Sequence, residues 1–260
     1  MKTMNHINQS ENSWQFLCNA ARQLPSEDHE LMPGVKWGDY AQLYTPAFWK
    51  IQYISHMQRA EPRQFYKLGN TILEEVVVCL LGGFGMPSEV GLAAFDRLKK
   101  QSLIVPGVSW KRLFDALSQP FELSDGRKVT YRFYNQRAKY LHKFLNKPDL
   151  DVIPVHNDIE LRNWLLTVDG IGLKTASWIT RNWLDSDRVA ILDIHILRAG
   201  LLAGFYEKEY DLNRYYLALE KQYLSFCDAL EVSSGIMDAI IWEFMKKTNR
   251  LAISALKHTN

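Results

Sequence analysis

Cysteine is scarce in this chain: its 260 residues hold three, Cys18, Cys79 and Cys227, far apart and odd in number. The absence of any CxxC pair argues against a structural zinc site and excludes a four-cysteine iron–sulfur cluster, so free thiols in a reducing compartment are expected. Long apolar runs are also missing. The longest, Val76 to Met86, is broken by three glycines and is too short to span a bilayer. The first ten residues lack the apolar centre of a signal peptide, which points to a cytoplasmic protein. Bulk charge of one sign is absent as well. The formal net charge is only +2, so a polyanionic partner has to be read from local charge. No internal repeat, low-complexity tract or long linker interrupts the chain.

What is present is the composition of an ordinary globular protein, 47% hydrophobic and 23% charged, long enough for one large domain or two smaller ones. Helical spacing of apolar residues predicts helices over 13–23, 45–59, 68–81, 88–100, 109–117, 135–145, 158–167, 174–184, 193–203, 212–224 and 233–248. The 68–81 helix is apolar around most of its circumference and should be a buried central element. Strands are plausible only at Phe121–Tyr134, where Ser124-Asp125-Gly126 is a turn flanked by short alternating runs. The expectation is an all-α chain with one small β-hairpin.

The stretch Val168-Asp169-Gly170-Ile171-Gly172-Leu173-Lys174 lies between two of these helices. Glycines there permit a tight turn and leave backbone N–H groups open at the start of the second helix, a site that suits one DNA phosphate. A plain corner between two packed helices accounts for the glycines about equally well. Lys174 sits at the positive end of a helix, where the dipole and partial burial favour the neutral amine that Schiff-base chemistry requires. A solvated surface lysine is its ordinary alternative. Asp193 reads first as the N-cap of the next helix. The second helix is about 15 Å long, and the nine residues after it reach roughly 30 Å. The chain can therefore return and set Asp193 beside Lys174, where a carboxylate would stabilise a cationic sugar.

Taken together, the glycine hairpin, Lys174, and Leu192-Asp193-Ile194-His195 resemble the helix-hairpin-helix DNA glycosylase superfamily, and in particular its compact 8-oxoguanine DNA glycosylases. The resemblance covers about 157–198, extends to 128–145 and 233–247, and carries its own expectations. It implies a fold of two helical subdomains flanking a DNA-binding cleft. In one, residues 1–67 pack with 194–260. In the other, 68–193 hold the hairpin (157–184) and the aspartate loop. It implies a bifunctional glycosylase and AP lyase in base excision repair, with Lys174 as nucleophile, Asp193 as its partner, and Gly170, Gly172 and His195 at DNA phosphates. The last helix would bring Asp238 and Trp242 to the base pocket. The spacing independently puts Asp238, Trp242 and Met245 on one face, opposite an apolar face of Ile236, Ala239, Ile240 and Phe244. Trp178 shares a face with Lys174 and would also line the pocket. Longer family members carry a small thiol residue there, so this tryptophan bears on which lesion fits.

Local charge agrees with a DNA partner. Between Gly126 and Lys147 stand seven basic residues, Arg137 and Lys139 among them as candidate phosphate contacts, and no acidic one. A solvated helix face with buried aromatics is the plainer account. Phe84, in an apolar Gly-Gly-Phe-Gly tip, is the candidate wedge into the gap left by a flipped base. The implied partner is double-stranded DNA with a damaged base, bound by a monomer with no membrane association. No metal site or cofactor is required, although a monovalent cation at the hairpin is compatible. The alternatives are the same chemistry on a different modified base, a non-catalytic DNA-binding module, and a scaffold without DNA.

Overall fold

A computed structural model describes residues 13–59, 67–83, 85–207 and 210–259. The chain is all-α and divides into two compact units, one formed by Met1–Gln64 with Asp187–Asn260 and the other by Phe65–Ser186. The divisions thus fall at 64/65 and 186/187, where the sequence suggested 67/68 and 193/194.

The central unit is built on α3 (Ile72–Leu81), which packs against α4 (Ser88–Lys100), α6 (Tyr134–Leu145) and α8 (Leu173–Leu184). Its burial follows from its composition. Val76, Val77, Val78, Leu80 and Leu81 are all core residues, leaving no polar stripe to face water. The α5 helix (Trp110–Ser118) lies along α6, and α7 (Asp158–Leu165) along α8. The expected hairpin forms as β3 (Phe121–Glu122) and β4 (Lys128–Val129), in the register Phe121↔Val129 and Glu122↔Lys128.

In the other unit, α11 (Ser234–Lys247) packs against α2 (Pro46–Gln58), α9 (Ile194–Ala203) and α10 (Leu212–Ala229). Phe244 joins an edge-to-face cluster with Tyr44, Phe48 and Trp49, its ring centroid 5.0 Å from that of Phe48. A first helix, α1, covers 13–22. Two elements depart from expectation. A second hairpin pairs β1 (Glu30–Met32) with β2 (Val35–Lys36) across Pro33-Gly34, in a stretch expected to be loop. And the helical run does not end at Thr248: α12 (Asn249–Thr259) follows and packs on α9. Arg198 Nη1 donates to Asn249 Oδ1 at 2.6 Å, anchoring the start of α12.

The wheel drawn for the last helix is rotated in the fold. Past its first turn, the buried residues of α11 are Met237, Asp238, Ile241 and Met245, with Ser234 and Gly235 buried at its start, while Ile236, Ala239, Ile240 and Phe244 are half-buried. Neighbours on several sides decide the face, and α11 has them in α2, α9 and α10.

Ahead of α3 an irregular segment is held by one buried carboxylate. Glu75 Oε2 accepts from Leu68 N and Gly69 N, both at 2.8 Å. Burial pushes the Glu75 carboxyl above its usual range, against the pull of those two N–H groups. An acid whose folded pKa is raised takes stability away as pH rises from its unfolded value, 4.5, to the folded one. Glu75→Gln, which keeps an acceptor and removes the charge, should therefore gain in Tm relative to the parent as pH is raised through that window. Glu75→Ala should instead lose about 1–3 kcal/mol for each N–H left without a partner. Thermal melts of the three proteins across pH 4–7 check both.

Candidate functional site: the hairpin and the aspartate loop

The hairpin is assembled from α7, the seven-residue connection 166–172 and α8. Asn157 starts α7 by accepting from Ile159 N and Glu160 N. The turn closes where Ile171 N donates to Val168 O at 3.1 Å. Its two glycines are there for different reasons. Gly170 has φ +89°, and a β-carbon on it would lie 2.5 Å from Tyr140 Cδ2, so both its backbone and its neighbour demand glycine. Gly172 has an ordinary φ of −102°, and a β-carbon there would meet nothing within 4 Å. Neither strain nor packing explains it. What it does is begin α8 with no capping side chain, leaving the first N–H groups of that helix open to an outside acceptor.

Helix α6 braces this turn. The Tyr140 ring lies against Gly170, Gln136 Nε2 donates to Tyr140 Oη at 3.0 Å, and Lys143 Nζ reaches Asp169 Oδ2 at 2.6 Å. Nothing in the local sequence singles out Tyr140 from the other aromatics between Gly126 and Lys147. The requirement for a small residue at 170 was the one available signal that something large packs there.

The basic stretch is less uniformly available than its charge suggests. Arg127 pairs with Asp125, Lys143 with Asp169, and Lys147 with Asp149. Arg137 is half-buried; its Nη2 donates to Gly82 O at 3.4 Å, and its Nε is buried with no hydrogen-bond partner among the described residues. It thus braces the Gly82 turn, a role not expected of it. Lys128, Arg132 and Lys139 are exposed. Phe84, the wedge candidate in the same tip, lies outside the described residues.

Lys174 is the second residue of α8 and is exposed, so the partial burial expected of it is absent in the free protein. One and two turns on, Trp178 is half-buried, and Arg181 is buried with its Nη1 on Asn182 Oδ1 at 2.7 Å.

The aspartate loop belongs to the other unit. Asp193 caps α9: its Oδ1 accepts from His195 N at 2.8 Å and Ile196 N at 3.1 Å. Both cap bonds fall on one oxygen, and Oδ2 accepts none from the described residues. The cap and a chemical role are therefore compatible. His195 is half-buried, with Nδ1 buried and unpartnered among the described residues. The residues before Asp193 are core: Val189, Ala190, Ile191 and Leu192 are all buried, although the segment is irregular. Asp187 anchors it at one end, where its Oδ1 accepts from Ser233 Oγ at 2.7 Å and Gly235 N at 2.8 Å. On α11, Asp238 is buried and Trp242 is 40% exposed, with Lys246 Nζ 4.7 Å from its ring centroid. The described residues contain no cluster of three His, Cys, Asp or Glu side chains that could hold a metal ion, and no helix long and apolar enough to cross a membrane.

Comparison with known proteins bears on this arrangement. Residues 58–232 match the family described as 8-oxoguanine DNA glycosylase. An 8-oxoguanine DNA glycosylase/AP lyase of Saccharolobus islandicus is 36% identical over 135 residues, 48% of this chain and 63% of the relative. One from Metallosphaera sedula is 33% identical over 139 residues, covering 50% of this chain and 66% of the relative. The matched region is thus less than two thirds of either relative's length. Among solved structures, the 8-oxoguanine DNA glycosylase of Thermotoga maritima is similar over 67% of this chain and 79% of its own, with 24% identity and a TM-score of 0.49. The Methanocaldococcus jannaschii 8-oxoguanine glycosylase/lyase, in complex with a 15mer DNA containing 8-oxoguanine, is similar over 68% and 81%, with 23% identity and the same TM-score of 0.49.

The two glycines give opposite expectations. Gly170→Ala should destabilise the fold by about 1–3 kcal/mol from the backbone conformation alone. Adding Tyr140→Ala should return the further part due to the ring clash. Gly172→Ala should cost no more than about 1 kcal/mol of stability and, if the turn receives a phosphate, weaken binding of a duplex about tenfold. Thermal melts and fluorescence anisotropy with a labelled duplex separate the cases. Wild-type affinity in Gly172→Ala would show that no phosphate approaches that turn.

Proposed function

We infer the function from one premise: the chain belongs to the 8-oxoguanine DNA glycosylase family. We propose that it is a bifunctional DNA glycosylase and AP lyase that removes 8-oxoguanine from double-stranded DNA, with Lys174 as nucleophile and Asp193 as its partner. The observation that carries the reading is the placement of Lys174, an exposed amine in the first turn of a helix whose N-terminus bears no capping side chain.

A base inside a duplex has to leave the stack before its sugar can be reached. The Lys174 amine then attacks C1′, and the glycosidic bond breaks with its electron pair going to the base. The carboxylate of Asp193 offsets the positive charge that develops at C1′, using the oxygen its cap leaves free. Opening of the sugar ring gives an iminium at C1′. That cation acidifies the C2′ hydrogen, whose loss expels the 3′-phosphate and nicks the strand. The free protein leaves Lys174 in water, so the bound duplex has to supply the dry surroundings in which its amine reacts.

The open N–H groups at the start of α8 after Gly172, in the turn that Gly170 shapes, take the role of phosphate contacts together with His195 and the exposed Lys139. Asp238, Trp242 and Trp178 take that of the base pocket. Schiff-base chemistry needs no cofactor, and the hairpin carbonyls, as hard oxygen donors, would suit a monovalent cation that offsets phosphate charge. The protein acts as a cytoplasmic, nucleoid-associated monomer in base excision repair. One observation favours a second reading in which the same chemistry serves a different modified base. Trp178 places a large half-buried ring one turn from Lys174, on the same face.

Borohydride trapping on an 8-oxoguanine duplex tests the assignment. The parent should give a covalent adduct and Lys174→Gln none, with DNA binding retained; an adduct that survived would remove Lys174 as nucleophile. Asp193→Asn should slow base release at least about a hundredfold. A panel of lesion duplexes under single-turnover conditions reads the substrate. Fastest release of 8-oxoguanine supports the first reading, and faster release of another base the second.

A further inference from the structure

The segment Ala190–Leu192 is irregular, buried and belongs to no sheet, so its main-chain groups need partners from elsewhere. Helix α10 provides them from two side chains one turn apart. Glu220 Oε1 accepts from Ala190 N at 2.9 Å. Tyr216 Oη donates to Ala190 O at 2.8 Å and accepts from Leu192 N at 3.1 Å. The two side chains are 4% and 5% exposed. Together they act as a substitute strand edge, fixing one N–H and C=O pair and the next N–H in the same direction. Leu192 directly precedes Asp193, whose own carboxylate is tied down, among the described residues, only by the α9 cap.

We propose that Tyr216 is a positioning residue for Asp193: by gripping Ala190 and Leu192 with a single hydroxyl, it sets where the Asp193 carboxylate stands. Glu220 supports the same segment from the neighbouring turn. The proposal rests on Asp193 being the nucleophile's partner. Its physical content is that the carboxylate has to be held against a particular sugar atom, while DNA affinity is set by phosphate contacts elsewhere. A small displacement at this point costs rate without costing binding. Removing the hydroxyl leaves both Ala190 O and Leu192 N buried without their present partner, and the chain can recover them only by shifting.

The test uses the full chain and an 8-oxoguanine duplex, with single-turnover base release at saturating protein and a separate binding titration. Tyr216→Phe should release base about tenfold more slowly, with its DNA Kd unchanged and its thermal melt still well above the assay temperature. Tyr206→Phe is the control. It too loses a buried hydroxyl in this unit, one that donates to Leu219 O at 2.9 Å, but makes no bond to the loop. It should release base at the parent rate. Glu220→Gln, which keeps an oxygen for Ala190 N, should stay close to the parent, and Glu220→Ala should slow release. Parent-like release by Tyr216→Phe overturns the proposal. So does an equal slowing in Tyr206→Phe, which would reduce the effect to general stability. Asp193→Asn, assayed alongside, separates the two levels. If it releases base at the parent rate, the role of Asp193 falls and the proposal with it. If it is slow while Tyr216→Phe is not, only the positioning role falls.

Discussion

Buried backbone outside helices and strands needs partners for every N–H and C=O, and much of this molecule follows from how it meets that requirement. The described chain has only two short strand pairs, so it cannot use sheets for the purpose. It uses side chains reaching from neighbouring helices. Glu75 serves Leu68 and Gly69. Tyr131 donates to the carbonyl of Leu81 at the end of α3. Arg97 takes the carbonyls of Ala116, Gln119 and Pro120, and its guanidinium lies 3.9 Å from the Phe121 ring centroid. In the other unit Lys50 holds Leu230 O, and Tyr223 holds Ser234 O at 2.8 Å. Each is a bond from a long, partly or wholly buried side chain to main chain at or next to the end of a regular element. Such bonds are costly to break because the group left behind is already desolvated.

Against that habit, the start of α8 is an exception. Helices α2, α3, α5, α7, α9, α10 and α11 begin with a side-chain cap from Thr, Ser, Asn or Asp. The hairpin helix begins with Gly172 and no cap. A serine or aspartate there would satisfy one of the open N–H groups and, if charged, repel a phosphate. The chain forgoes roughly 1 kcal/mol of cap stability at that position. Helices α4 and α6 also start without a capping side chain, so the lack of a cap alone does not mark function. What sets α8 apart is that its N-cap is a glycine that neither backbone strain nor packing requires.

The parts of the site that were legible in sequence are those whose signal is local. A glycine hairpin, a lysine after it and an aspartate at a helix start are all defined within a few residues, and each occurs where its neighbours suggested. Long apolar stretches did the same for α3. What was not legible depends on partners distant in the chain. The buried face of α11 is fixed by α2, α9 and α10 together, and Asp238 lies on it although the helical wheel alone assigned the apolar face to Ile236 and Ile240. The exposure of Lys174 and the bracing role of Arg137 are likewise tertiary facts. The β1–β2 hairpin had a local signal in Pro33-Gly34, but its strands are too short for alternation to be read. Thr248 concealed α12: its Oγ1 bonds back to Phe244 O at 2.9 Å and closes α11, and the chain resumes as helix at the next residue.

Tyr216 and Glu220 show why a partner of Asp193 could not have been found by motif. They are ordinary members of an amphipathic helix, on the same buried face as Leu219 and Tyr223, and helical spacing marks all four as core. A buried tyrosine or glutamate nevertheless carries polar atoms that need partners, and an apolar core offers few. The partners here are the main-chain groups of a segment that could not be buried without them. The two needs are complementary. The loop requires polar side chains from α10, and those side chains are tolerated in the core because the loop is there. Replacing Tyr216 or Glu220 by an apolar residue therefore leaves desolvated main-chain groups in the loop, and Asp193 is the first residue beyond that contact that is not itself core.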